Sequence, residues 1–587
     1  MFLFTLFKKI KTEIFIISIF ITIIFTIFSF PKRTIVADGI GYFDYLISIF
    51  YYHDFIRYPH IINEDNKLYD RVSKLENFCY NKYNEKYLVN KYPIGSALLM
   101  TPFFLSVYLI FPNNPFHSDI PQIYHITIFI STIFYLLLTL IFFRKLLLTY
   151  HLSPLSISLT QLFIVLSTNV TFYASEHASY SHIYSLFAIT LFLYLVRMYY
   201  LTKQRKYAIF FSATFGLIFI IRNIDILILF FIPFLFDNPK HLKETINHFF
   251  KQKFTFFLSA FSFFLIFSIL IISWYFQTGS FFVYSYGNES FNFLKPHFIP
   301  MLFSFNRGLF LIHPIYFIAF LSVLYYIIKR NYFHFFSWMI FFIFLTYILS
   351  SWHSWTYGAS FGQRPFINYI PLFFIPFANL LNDLLKYKKK FAYVFLSCCS
   401  IFLFLNIIQT YQYSKYIIDW NFMNKEKYFK IFLKTHKKYR GWFWKMDFSN
   451  DTSFKLIKSI EFNEPINIPK SSSKKIDIII NTNNGFKDTT YNYVKVNLNS
   501  SYSENNHAKM HFKIVDLNSG VIEFEHTIYF LHFYGYQSRF TDLGFYYFYL
   551  HKFVSSNNKK IEINFKTKNL PLQIQNLHLD FIKKATL

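Results

Sequence analysis

Long apolar runs separated by short polar breaks fill residues 1–408. The runs fall at roughly 13–30, 122–143, 155–172, 183–200, 207–221, 224–236, 254–274, 309–328, 333–350, 367–385 and 391–408. Most approach the ~20 apolar residues that cross a bilayer core. The pattern predicts about eleven transmembrane helices. One more apolar stretch, Ile94–Phe111, decides the orientation. If it spans, Arg144-Lys145, Lys203–Lys206, Lys329-Arg330 and Lys386–Lys390 all face outside. If it lies along the outer face as an interfacial helix, they all fall inside with Lys8–Lys11, as the positive-inside rule expects. We read it as interfacial, with the amino terminus inside.

Residues 207–236 form a hairpin whose tip is Arg222-Asn223-Ile224-Asp225. Its second arm is too short for a full crossing unless the tip sits in a protected cavity, because irregular backbone is not tolerated against lipid. After the last run, residues 409–454 are mixed aromatic and basic, including Trp420, Trp442 and Trp444, which suits a juxtamembrane connector. Residues 455–587 change period. Short alternating runs at 475–480, 493–498, 509–515, 521–530, 560–566 and 572–581 are broken by turns such as Asn483-Asn484-Gly485 and Asn518-Ser519-Gly520. They predict a β-sandwich, placed outside by the odd number of spans. The fold class expected is mainly α, a polytopic membrane domain over 1–408 followed by a carboxy-terminal extracytoplasmic β-sandwich.

Composition agrees with a membrane protein: 54% of residues are hydrophobic and 15% charged. The net charge of +27 does not point to nucleic acid, because the Lys and Arg residues sit in clusters between apolar runs. The first run lacks a small-residue cleavage site and reads as an uncleaved anchor. Three cysteines, two of them adjacent at Cys398-Cys399, supply neither a disulfide framework nor metal spacing.

The outer short loops hold few charges, namely Asp38, Glu176, Arg222, Asp225, Lys295, Arg307 and Arg364. An acid at a bilayer boundary is costly to keep and marks function. Desolvation there is expected to raise the Asp38 carboxyl towards the working range of a base. Guanidinium binds phosphate bidentately and keeps its proton, so Arg222, Arg307 and Arg364 are candidate phosphate ligands. The loop Ser175-Glu176-His177-Ala178-Ser179-Tyr180-Ser181-His182 adds an acid and two histidines. The histidines stand five apart with no third ligand adjacent, so a divalent cation has only weak support there and no metal site is assigned. Trp352 fits an interfacial aromatic belt.

Several of these segments together resemble bacterial GT-C glycosyltransferases, relatives of the protein O-mannosyltransferases and the lipid A aminoarabinose transferase. Ala37-Asp38-Gly39-Ile40-Gly41-Tyr42-Phe43-Asp44-Tyr45 is similar to their first-loop signature, and Lys91-Tyr92-Pro93-Ile94-Gly95 opens the interfacial helix. Arg307-Gly308-Leu309-Phe310 through His313-Pro314, and Trp355 through Phe361-Gly362-Gln363-Arg364-Pro365, look like later segments. The resemblance implies transfer of a sugar from a polyprenyl-phosphate donor to a glycan, lipid or protein acceptor, with inversion, at the outer face of the cytoplasmic membrane. It implies Asp38 as the catalytic acid-loop residue and base, with Asp44 second. The mannosyltransferases carry two adjacent acids, whereas Asp38 is followed by Gly39. Arg222, Arg307, Arg364 and His182 are expected to hold the donor phosphate, and Tyr42, Glu176, His177, Trp355 and Gln363 the substrate. A lipid-linked polysaccharide polymerase or ligase, a lipid-linked-sugar flippase or transporter, and a structural or sensory protein remain as alternatives.

Overall fold

A computed structural model of the chain describes chiefly residues 11–28, 33–53, 79–83, 87–112, 120–287, 289–419 and 423–436, and within 454–584 the strands named below. Lys8 and Lys9, Trp420, Trp442, Trp444 and the Asn483-Asn484-Gly485 turn lie outside the described residues. The chain divides into two compact units, Met1–Ser414 with Trp420–Lys425, and Lys415–Asp419 with Glu426–Leu587.

The first unit is helical. Among the described residues, six helices are long and apolar enough to cross a membrane: Lys11–Phe28, Gln122–Leu148, Ser181–Thr202, Lys253–Thr278, Tyr332–Ser350 and Lys389–Ser414. The protein is a multi-pass membrane protein. The other five predicted runs are shorter or interrupted helices. Pro154–Ser167 starts cleanly, with the Ser153 hydroxyl accepting from the Ser156 N–H and Pro154 in the first turn, but ends after 14 residues. Residues 309–328 break into Leu309–Ile312, Ile315–Leu321 and Leu324–Ile328 around His313-Pro314, where proline has no N–H to give. Arg205–Ile221 is also short, and Ile370–Tyr387 is preceded by a 3-10 turn at Arg364–Tyr369. Gly95–Tyr108, the expected interfacial helix, has 14 residues.

The second arm of the 207–236 hairpin is a 3-10 helix, Asn223–Leu235. Four of its six buried residues, Asp225, Ile228, Phe231 and Phe234, recur every third position, the period of that helix. At a rise of ~2.0 Å per residue it reaches about 26 Å, where an α-helix would reach about 20 Å. Stretching the coil thus answers the shortness noted in the sequence. The next helix, Pro239–Lys251, is capped by Asn238 and amphipathic, with basic residues along an exposed face.

In the second unit, two antiparallel sheets run in the strand orders Ser473–Ile480, Lys559–Lys566, Lys509–Asp516, Ile522–Tyr529 and Phe454–Phe462, Leu572–Lys584, Thr490–Ser500, Leu543–Val554, with Ile466–Ile468 beside Leu572–Lys584. Met510, Phe512 and Ile514 on the first sheet, and Leu577, Leu579 and Phe581 on the second, are buried at alternate positions. Each sheet therefore buries one face, the pattern of two packed layers. Leu543–Val554 is apolar almost throughout and shows no alternation, which hid it from period-based reading.

Candidate active site

The site begins at the helix Asp38–Phe50, which places Asp38 in its first turn, where the helix dipole favours a negative charge. Its two early glycines permit close packing. A Cβ on Gly39 would lie 1.7 Å from Ser179 Oγ, so only glycine admits the 174–180 loop over this turn. A Cβ on Gly41 would meet the Tyr92 ring at 2.5 Å. Tyr92 itself follows a short hairpin, Tyr80–Lys82 against Leu88–Asn90, tied to the helix by Asn90 Nδ2 donating to Gly41 O at 2.8 Å.

These elements wall a cavity of about 560 Å³ together with the ends of Lys253–Thr278 and Tyr332–Ser350 and the loops that follow them. Charged groups line it: Asp38, Lys91, Arg222, Glu289 and Arg364. Tyr42, Tyr92, Tyr180, Tyr286, Trp352 and Tyr357 supply aromatic surface. Asp38 Oδ2 and Arg364 Nη2 are 2.6 Å apart. Tyr92 also donates to the Asp38 carboxylate. The Arg364 guanidinium lies over the Tyr180 ring at 5.1 Å. Lys91 is paired with Glu289. Arg222 has no carboxylate within ion-pair distance among the described residues and rests instead against His182, with Nη1 3.1 Å from Nδ1.

The charge of Asp38 departs from the sequence expectation. Burial pushes its carboxyl upward, but Arg364, the Tyr92 hydrogen bond and Lys91 outweigh burial and hold it below the usual carboxylate range. Asp38 is therefore ionised at neutral pH, and its basicity is held in check by its partner.

Asp38, Tyr42, His182, Arg222 and Arg364 meet at the cavity. The other sequence candidates do not line it. Asp44 is buried and accepts from the Tyr80 hydroxyl. Six residues beyond Asp38 it points about 240° around the helix, away from the cavity. Arg307, in the left-handed region at φ +73°, donates through Nη1 to Thr356 O at 3.1 Å. Gln363 is fully buried. Trp355 stacks on His297 at 5.5 Å. Glu176 and His177 stand behind the lining, with His177 packed on Tyr180 at 4.6 Å. Burial pushes the His177 imidazole down to about 3, so it is neutral at physiological pH. Lys91, Glu289, Tyr92 and Tyr286 were not singled out as site residues from sequence, and Trp352 lines the cavity rather than serving only a belt. Lys91-Tyr92, inside a noted motif, carried the one local signal.

No family profile matches the chain, and no curated protein sequence does. Among solved structures it is similar to the oligosaccharyltransferase AglB of Archaeoglobus fulgidus in complex with an inhibitory peptide and a dolichol-phosphate. That match has a TM-score of 0.42 and 13% identity, over 73% of this chain and 60% of that one. The oligosaccharyltransferase of the same organism in the apo form gives a TM-score of 0.41 and 12% identity, over 74% and 60%. Its complex with zinc and sulfate gives 0.40 and 13%, over 72% and 57%. This chain thus spans about 60% of the length of the first of these.

Proposed function

We propose that the chain is a glycosyltransferase of the cytoplasmic membrane that moves a sugar from a polyprenyl-phosphate donor to an acceptor hydroxyl, with inversion. The observation that carries this reading is one cavity holding a carboxylate–guanidinium pair, Asp38–Arg364, and a separate cation without a carboxylate partner, Arg222. Arg222 offers the donor phosphate a guanidinium with no carboxylate in direct contact among the described residues, and Arg364 has N–H groups beyond the one given to Asp38. The tyrosines and Trp352 offer flat faces to a sugar ring.

In this reading the acceptor oxygen bonds to the anomeric carbon from the side opposite the phosphate. The carbon–oxygen bond to phosphate breaks, and its electron pair stays on the phosphate oxygen, where Arg222 and Arg364 stabilise the growing charge. Asp38 takes the hydroxyl proton as the new bond forms. As Arg364 turns towards the phosphate, Asp38 loses part of its counter-charge and becomes the stronger base when the proton must move. The basic clusters support an amino terminus inside and a cavity on the outer face.

Transfer of radiolabelled sugar from lipid extracts, compared between wild type and Asp38→Asn at matched levels of folded protein, tests the proposal. Loss of transfer with donor binding retained supports it. Undiminished transfer removes Asp38 as the base and favours a polymerase or ligase working through arginine and histidine. Movement of uncleaved lipid-linked sugar across proteoliposomes would instead mark a transporter.

A further inference from the structure

Asp225 is a carboxylate buried to 1% exposure in the helical unit, and no step of the proposed reaction uses it. It accepts hydrogen bonds from the Ser185 hydroxyl, from Asn368 Nδ2 at 2.7 Å and from the Tyr369 hydroxyl at 3.0 Å. A carboxylate only accepts, so the amide of Asn368 must turn its NH₂ towards Asp225 and its oxygen away. That oxygen lies 3.0 Å from His182 Nδ1. An amide oxygen cannot donate, so Nδ1 carries the imidazole proton and Nε2 the lone pair. Arg222 Nη1, 3.1 Å from Nδ1 and 3.5 Å from Nε2, lies against that ring. Close to both ring nitrogens, the guanidinium rests on the neutral imidazole and is set by where that ring stands. Backbone geometry closes the loop, since the Asp225 N–H donates to Arg222 O at 2.9 Å.

We infer that Asp225 is a positioning residue which, through Asn368 and His182, orients Arg222 as the anchor for the donor phosphate. The inference rests on the reading of Arg222 as a phosphate ligand. A direct Asp–Arg ion pair would occupy the guanidinium N–H groups. A carboxylate set two side chains away supplies counter-charge and orientation and leaves those groups for a ligand.

The test is binding of a polyprenyl phosphate to the full-length protein in nanodiscs, with turnover measured at saturating donor. Asp225→Asn keeps size but lets the amide donate, so Asn368 is no longer forced into one orientation. It should weaken polyprenyl-phosphate binding about tenfold and, since Arg222 also faces the charge growing on the leaving phosphate, lower turnover at saturation by no more than Arg222→Gln does. Asp225→Glu should recover part of the affinity. Combining Asp225→Asn with Arg222→Gln should add little to Arg222→Gln alone, because both act at one anchor. Should Asp225→Asn fail to fold, Asn368→Ala cuts the chain at its next member and carries the same expectation. If Arg222→Gln weakens binding and folded Asp225→Asn does not, or if the two losses add, the inference falls and the phosphate reading stands. If neither Arg222→Gln nor Arg364→Gln weakens binding, the phosphate reading falls and takes the inference with it.

Discussion

Asp38 Oδ2 and Arg364 Nη2 stand 2.6 Å apart with the two side chains 28% and 12% exposed, so the pair is tight yet reachable from the cavity. The acid it holds is kept low by its partner, not raised by its setting.

The pH profile should report that balance. With Arg364 in place, Asp38 stays ionised below the usual carboxylate range, so the acid limb of transfer falls below about pH 3.9. Arg364→Gln removes the lowering influence and leaves the burial, so the acid limb should move up. The same sign governs stability: the pair contributes fully above the unfolded carboxylate value, and its contribution is lost as pH falls through the folded one. The pH dependence of kcat/KM for the donor, for wild type and Arg364→Gln, checks this, because it reports the groups of the free protein; coincident acid limbs would show that Arg364 does not set the charge of Asp38.

Asp38→Asn should lower the rate of transfer by about 10²–10⁴-fold, the usual worth of a positioned base, with donor affinity little changed. A matched fall in affinity would recast Asp38 as a binding group.

His177 makes the fold acid-sensitive. Its imidazole is held at about 3 by burial, against an ordinary value of 6.5, so between those limits the unfolded chain binds more protons than the folded one. Stability therefore rises with pH through that window. His177→Gln should flatten the decline in melting temperature between pH 6.5 and 4. An unchanged slope would place the acid sensitivity elsewhere.

Gly39→Ala should cost about 1–3 kcal/mol of stability and most of the activity, because its Cβ would sit 1.7 Å from Ser179 Oγ and 2.8 Å from Ser179 Cβ. Ser179→Gly in the same chain removes both atoms and should restore much of each. Melting curves of the single and double variants decide this, and absence of rescue would mean that the strain lies in the backbone.

Much of the site was legible where the chemistry is local. Asp38 beside glycines at a bilayer edge, and Arg222 and Arg364 at the ends of apolar runs, carry a desolvation cost that sequence alone displays. Glu289 carries no such mark: it stands in a loop between helices and gains meaning only when Lys91, far away in the chain, is folded against it. Asp44 shows the reverse error, since nearness in sequence to Asp38 says nothing of the face a helix turns to the cavity. For the fold, apolar content gave the membrane character, but length alone could not tell a span from a run broken at His313-Pro314 or Thr168-Asn169. The 3-10 winding of Asn223–Leu235 was equally hidden, because the unbroken apolar run after Asp225 displays no period.

That winding sets how far the arm carries Arg222. Rewound as an α-helix, the same segment would shorten by about 6 Å, more than the breadth of a phosphate group, and Arg222 at its head would withdraw with it. The depth of the 222–225 tip is thereby tied to residues such as Phe231 and Phe234, which lie buried within the helical unit and away from the cavity lining.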